Sequence, residues 1–295
     1  MPNSELFALN PLKPRLRHPQ RRQSLTTVIA VRCRDGVILC ADAQETNEYV
    51  GLGTKELVSK IYPVTYGDKT DEHCVLGCAG VPAYINQLRE HVGEAIFKRE
   101  GKSYFKALDS ATGSFARYVY SRKLGYSVGQ DLSTTASAIF VGYEPEKQKT
   151  YMCLLQPPNP PDPLLQRYCV TIGSGQLYAS LLVSIAEALM RKMDLDWYKL
   201  SSTLVAQFCY MVLGRITSYD IYSGLGISIF RIEDQKGKWE YVTPQQMFPG
   251  HGTTEKYRLS VLLKTLKDEV PKHDLFELAK QYGFLEILAD FLSEK

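Results

Sequence analysis

The chain has 295 residues, 44% of them hydrophobic, which is enough to bury a substantial core in one compact body with appendages. Thirty-five Lys and Arg stand against 32 Asp and Glu, a net charge of +3, so no global field marks nucleic acid or an anionic membrane as the main partner. No stretch reaches the ~20 apolar residues of a membrane span; the most apolar helical window, Leu181 to Met190, is broken by Ser184 and Glu187.

The segment Met1 to Ser24 carries Pro, Arg and Gln without an apolar stretch, which argues against a secretory signal and reads as a leader over residues 1–25. The β-branched run Thr26 to Val31, the turn Arg34-Asp35-Gly36 and the apolar run Val37 to Ala41 predict a hairpin whose second strand is buried on both faces. Leu57 to Val64 and Cys74 to Ala79 read as two further strands across the polar turn Gly67 to Asp71. Helical spacing follows from Pro82 to about Lys98, through Ile85, Leu88 and Ile96, and again from Tyr104 to Leu124.

Ala136 to Tyr143 and Thr150 to Leu155 return to strand character, and Gln156 to Pro163 is too proline-rich for either element. Arg167 to Ile172 is expected as a strand, Leu177 to Met193 and Tyr198 to Thr217 as helices, and Gly226 to Ile232 and Trp239 to Val242 as closing strands. Strands, two helices, strands, two helices, strands predict an α+β fold, a four-layer αββα sandwich of two antiparallel sheets with helices outside them. Residues 244–295 read as a linker and a helical C-terminal extension, with Leu275, Leu278, Tyr282, Leu285, Leu288 and Leu292 on one face. Asp274 and Glu277 have the spacing of a helix-start capping pair.

Seven dispersed cysteines without a C-x-x-C pair read as reduced, buried small hydrophobes. Five scattered histidines offer no metal-ligand spacing, and no cofactor motif is present; Gly173-Ser174-Gly175 lacks the third glycine of a dinucleotide loop. Taken singly, Thr26 is a strand start, Asp42 a turn residue, Lys60 a solvated charge, and Gly173-Ser174-Gly175 a strand-to-helix turn with a serine cap.

Taken together, Thr26-Thr27-Val28-Ile29-Ala30, Asp35-Gly36 through Asp42, Thr46, Ser59-Lys60-Ile61, Gly77-Cys78-Ala79-Gly80, Ile172 through Gly175 and Tyr219 through Gly224 keep the order and approximate spacing of proteasome β subunits. From Thr26 to about Val242 the chain resembles that family of threonine peptidases, including the bacterial HslV-type enzymes, to which the run Gln44-Glu45-Thr46 is similar. The resemblance implies the N-terminal-nucleophile hydrolase fold over residues 26–243 and a free Thr26 as nucleophile once residues 1–25 are removed. A threonine hydroxyl needs an adjacent base, and a free α-amino group with a pKa near ~8 can accept its proton. Lys60 would add positive charge, Asp42 would hold the ammonium, and the Gly80 N–H would donate to the oxyanion. By the same match, Ser174, Asp220 and Ser223 would orient the amine, while Glu45, Thr46, Val58, Cys78 and Pro82 would line the substrate slot.

Two departures stand out: Leu25 occupies the place where the family usually has the glycine that self-cleavage needs, and about six extra residues separate Lys60 from Gly80. The resemblance further implies stacked rings with other subunits of the type, peptide or unfolded-protein substrates, an ATP-dependent unfoldase as partner, and a cytoplasmic or nuclear location. A non-catalytic structural subunit and a small-amide hydrolase of the same nucleophile class remain as alternatives. The first would need none of Thr26, Asp42, Lys60, Ser174, Asp220 and Ser223.

Overall fold

The computed structural model describes residues 26–49, 52–57, 59–101, 103–123, 136–165, 167–192, 196–219 and 226–247. The Asp35-Gly36 turn joins β1 (Thr27–Cys33) to β2 (Gly36–Asp42), and every residue of both strands is buried. They form the middle of an antiparallel five-stranded sheet with β10 (Cys169–Gly173), β11 (Ile227–Glu233) and β12 (Trp239–Tyr241), in the order β10-β1-β2-β11-β12.

A second five-stranded antiparallel sheet runs β5 (Ile61–Tyr66), β6 (Lys69–Gly80), β7 (Ala136–Glu144), β8 (Lys149–Leu155) and β9 (Asp162–Pro163). Between the sheets in sequence, β3 (Gln44–Tyr49) and β4 (Leu52–Leu57) pair as a separate hairpin.

Alternation along each strand builds the layers, because successive side chains point to opposite faces. Val28, Ala30, Leu39 and Ala41 meet Val75, Ala79, Ile139 and Val141 of the second sheet. On the outer face of the first sheet, Ile29, Val31, Ile38 and Cys40 pack against α3 (Gln176–Lys192) and α4 (Ser202–Tyr219) through Ala179, Val183, Cys209 and Leu213. On the outer face of the second, Cys74, Leu76, Cys78 and Phe140 pack against α1 (Pro82–Phe97) and α2 (Tyr104–Lys123). Helices, sheet, sheet, helices are four layers, as the element order predicts. Each fully buried side chain such as Leu88 or Leu108 contributes about 1.5–3 kcal/mol.

The sheets approach closely at Gly77, where an added Cβ would lie 2.6 Å from Val28 Cγ1 and 3.0 Å from Leu39 Cδ1. That contact lies beside Lys60, because Ile61 is the register partner of Gly77 and the Cys78 amide donates to the Lys60 carbonyl at 2.9 Å.

Three expectations need correction. The single strand expected over Leu57 to Val64 is the end of β4 followed by the start of β5, with the polar pair Ser59-Lys60 before β5. The proline-rich stretch, expected as loop throughout, contributes Asp162–Pro163 as an edge strand on β8; an edge tolerates the missing N–H. The helix expected from Tyr198 is a 3-10 turn at Trp197–Lys199 followed by α4 from Ser202.

The start of α4 is held from far away in sequence: Asp35 accepts from the Ser202 amide at 2.7 Å and from its hydroxyl at 3.0 Å. A carboxylate there also complements the positive end of the helix dipole. Beyond β12 the chain turns once as α5 (Pro244–Met247), and Met247 is buried against the α3–α4 layer. The expected leader and the remainder of the C-terminal extension lie outside the described residues. No helix among the described residues is long and apolar enough to cross a membrane.

Candidate active site

The strand ends of the first sheet converge at one edge of the sandwich. Thr26 immediately precedes β1, Asp42 ends β2, and the register pairs Val28 with Ala41, so the side chain of Asp42 arrives at the start of β1. Its Oδ1 accepts from the Thr27 amide at 2.7 Å. Its Oδ2 accepts from Lys60 Nζ at 3.0 Å. Thr26, Thr27 and Asp42 are fully buried and Lys60 is 4% exposed.

The reading of Lys60 taken singly, a solvated charge, is therefore wrong, while Asp42 does end its strand but does so buried and paired. Lys60 lies between β4 and β5, belongs to the second sheet through its carbonyl, and reaches across to the first. Two charges removed from water remain ionised only when paired and further hydrogen-bonded, and the Thr27 amide supplies one of the additional bonds.

Gly173 and Gly175, flanking Ser174, close the site from the other side. Gly173 is the register partner of Thr27, with φ +100, and a Cβ on it would fall 1.6 Å from the Thr26 carbonyl oxygen. A Cβ on Gly175 would fall 2.0 Å from Thr27 Oγ1. Gly175, whose carbonyl accepts from the Ala179 amide at 2.9 Å, takes the helix N-cap in place of the expected Ser174. Ser174 lies between the two glycines, half-buried, in the turn that presses on Thr26 and Thr27.

Gly80 ends β6 opposite Ala136 with φ +129, a conformation that favours glycine. Pro82 opens α1 at its first turn, two residues on. Cys78 lies one strand period before Gly80 but is enclosed under α1 and α2 with Ile85 and Leu88, and burial pushes its thiol up to about 12. Glu45 and Thr46 lie on β3, in register with Glu56 and Lys55. Val58, Asp220 and Ser223 fall outside the described residues; Tyr219 ends α4 immediately before Asp220.

The structure thus brings together Thr26, Asp42, Lys60 and Ser174's turn from β1, β2, the β4–β5 link and the β10–α3 turn. Chain reading missed the Thr27 amide as the second ligand of Asp42, and the two glycines as the residues that admit the turn. The signal for the glycines was present, a glycine on each side of one serine, but Thr26 and Thr27, which they meet, lie 146 or more residues away in sequence.

An anionic carboxylate locked to an ammonium and to the Thr27 amide can hold the start of β1 in place and keeps a paired positive charge in the same buried cluster. In the comparisons made, no family model matches the chain and no curated protein matches it.

Proposed function

We propose that this chain is the precursor of a threonine-type endopeptidase subunit, with the N-terminal-nucleophile hydrolase fold over residues 26–243 and Thr26 as nucleophile after removal of residues 1–25. The observation that carries this reading is the bridging carboxylate of Asp42, bound to Lys60 Nζ at 3.0 Å and, at 2.7 Å, to the amide of Thr27, the residue after Thr26. The resemblance to proteasome β subunits supports it from a separate direction, since the residues it marks as Thr26, Asp42 and Lys60 come from three separate segments of the chain.

In the proposed reaction the freed Thr26 amine takes the proton from Oγ1 as that oxygen adds to the substrate carbonyl. The Gly80 N–H receives the developing oxyanion, an interaction worth about 3–4 kcal/mol in comparable sites. Collapse of the tetrahedral intermediate breaks the C–N bond, the departing amine leaves with the proton, and the ester on Thr26 is then cleaved by water activated by the same α-amine. The Lys60 ammonium, neutralised by Asp42, lowers the energy of negative charge at Oγ1 without taking part in the proton transfer.

Assembly into rings that enclose the sites, with other subunits of the type and an unfoldase that feeds them, belongs to the same proposal. The test is the mature N-terminus together with activity. Intact mass should reveal a species beginning at Thr26, and Thr26→Ala should abolish hydrolysis of fluorogenic peptides while leaving assembly intact. Hydrolysis that survives in Thr26→Ala, or an active preparation in which Leu25 remains joined to Thr26, would overturn the reading.

A further inference from the structure

A residue that becomes a chain terminus by cleavage loses the restraint of the chain before it, and termini fray unless something ties them down. A nucleophile at such a position works only if it is held from its C-terminal side, because misplacement by about 1 Å can cost on the order of 100-fold in rate. The described contacts of Thr26 and Thr27 divide in that way. The Thr27 amide is held by Asp42, and Thr27 is paired in register with Gly173. Against the Thr26 carbonyl lies Gly173, at a distance where a Cβ would come within 1.6 Å of the oxygen. Against the Thr27 hydroxyl lies Gly175, where a Cβ would come within 2.0 Å of Oγ1 and 2.8 Å of Ile216 Cγ2 of α4.

We infer that Gly173 and Gly175 are positioning residues for Thr26. They admit the main chain of the β10–α3 turn against the carbonyl of the nucleophile's own residue and the side chain of the next, so that Thr26 keeps its place when the bond before it is cut. Every one of these contacts lies on the C-terminal side of that bond and none is removed by cleavage. The inference rests on the reading of Thr26 as the mature N-terminus. It assigns the two glycines a role that the sequence reading gave only to the serine between them.

The testing experiment uses the full chain carrying Gly175→Ala, Thr27→Ala and both together, with melting temperature, mass of the mature N-terminus, and kcat and KM for a fluorogenic peptide measured on each. Gly175→Ala is expected to lower kcat by roughly 10- to 100-fold at unchanged KM. Thr27→Ala removes the atom at 2.0 Å, so the double variant should recover much of that loss, and incompletely because Ile216 Cγ2 remains. A general packing defect would lower the melting temperature without separating kcat from KM and without relief by Thr27→Ala. Wild-type kcat in Gly175→Ala, or a double variant no better in activity or folding than Gly175→Ala, overturns the assignment. A wild-type chain that cleaves no peptide instead overturns the peptidase reading. In that case the same variants still decide the contact through melting temperature: Thr27→Ala must offset the loss caused by Gly175→Ala, and independent effects would sink it.

Discussion

Asp42 and Lys60 lie on different sheets and meet at 3.0 Å in the interior, with the Asp42 carboxylate turned at the same time onto the amide of Thr27. Asp42 ends the second strand of the first sheet, while Lys60 leads into the first strand of the second. The pair therefore reports the packing of one sheet on the other, and the candidate site exists only when the whole sandwich has closed.

Breaking that pair on one side should destabilise the protein more than removing it. Asp42→Asn leaves a buried ammonium without its anion and is expected to cost about 3–5 kcal/mol in denaturant unfolding. Adding Lys60→Met should recover a large part of that loss, while peptide hydrolysis stays abolished in both. Equal stability of the single and double variants would show that the two groups do not interact.

The contact between sheets at Gly77 predicts an overpacking penalty. Gly77→Ala places a methyl group 2.6 Å from Val28 Cγ1 and 3.0 Å from Leu39 Cδ1, both branched side chains enclosed in the inter-sheet core. Destabilisation of about 1–3 kcal/mol is expected, measured by the urea midpoint. Because Ile61 pairs with Gly77, activity should fall with it as Lys60 is displaced.

Asp35 ties the β1–β2 turn to the first turn of α4 through two hydrogen bonds to Ser202. Asp35→Ala should lower stability by about 1–2 kcal/mol, the range for loss of a helix-terminal carboxylate. Amide exchange should rise first in the N-terminal turn of α4, and uniform exchange across that helix would contradict the prediction.

Burial pushes the thiols of Cys33, Cys78 and Cys153 from an ordinary 9.0 up to about 12. The folded state thus holds these protons after the unfolded chain has released them. Their contribution to stability is complete below about pH 9 and is lost as pH rises towards 12. The urea midpoint should fall progressively above pH 9, and Cys78→Ala should make that fall shallower. At pH 7.5 a thiol reagent should leave all three unmodified in the native protein and react with them in urea. Rapid native labelling would contradict this.

Much of the fold was legible along the chain. The Asp-Gly turn with buried runs on either side gave β1 and β2, and the helical spacing of Ile85, Leu88 and Ile96 gave α1 almost to the residue. The hairpin of β3 and β4 was missed because Gln44 to Leu57 is largely polar and lacks the apolar alternation that marks a half-buried strand. Of the candidate site, Thr26, Asp42, Lys60 and Ser174 were marked only as part of a joint pattern, since each alone has an ordinary reading.

By itself the sequence determined most of the buried strands and the four long helices, because local periodicity and turn chemistry act over a few neighbours. It also placed Asp42 16 and Lys60 34 residues after Thr26. Only the tertiary structure decided that the lysine is buried and crosses from one sheet to the other. It decided as well that Asp42 holds the amide of Thr27, and that Gly173 and Gly175 give way to Thr26 and Thr27. Those relationships depend on two sheets packing face to face, and the desolvation that makes a buried charge pair obligatory has no counterpart in any stretch of chain read alone.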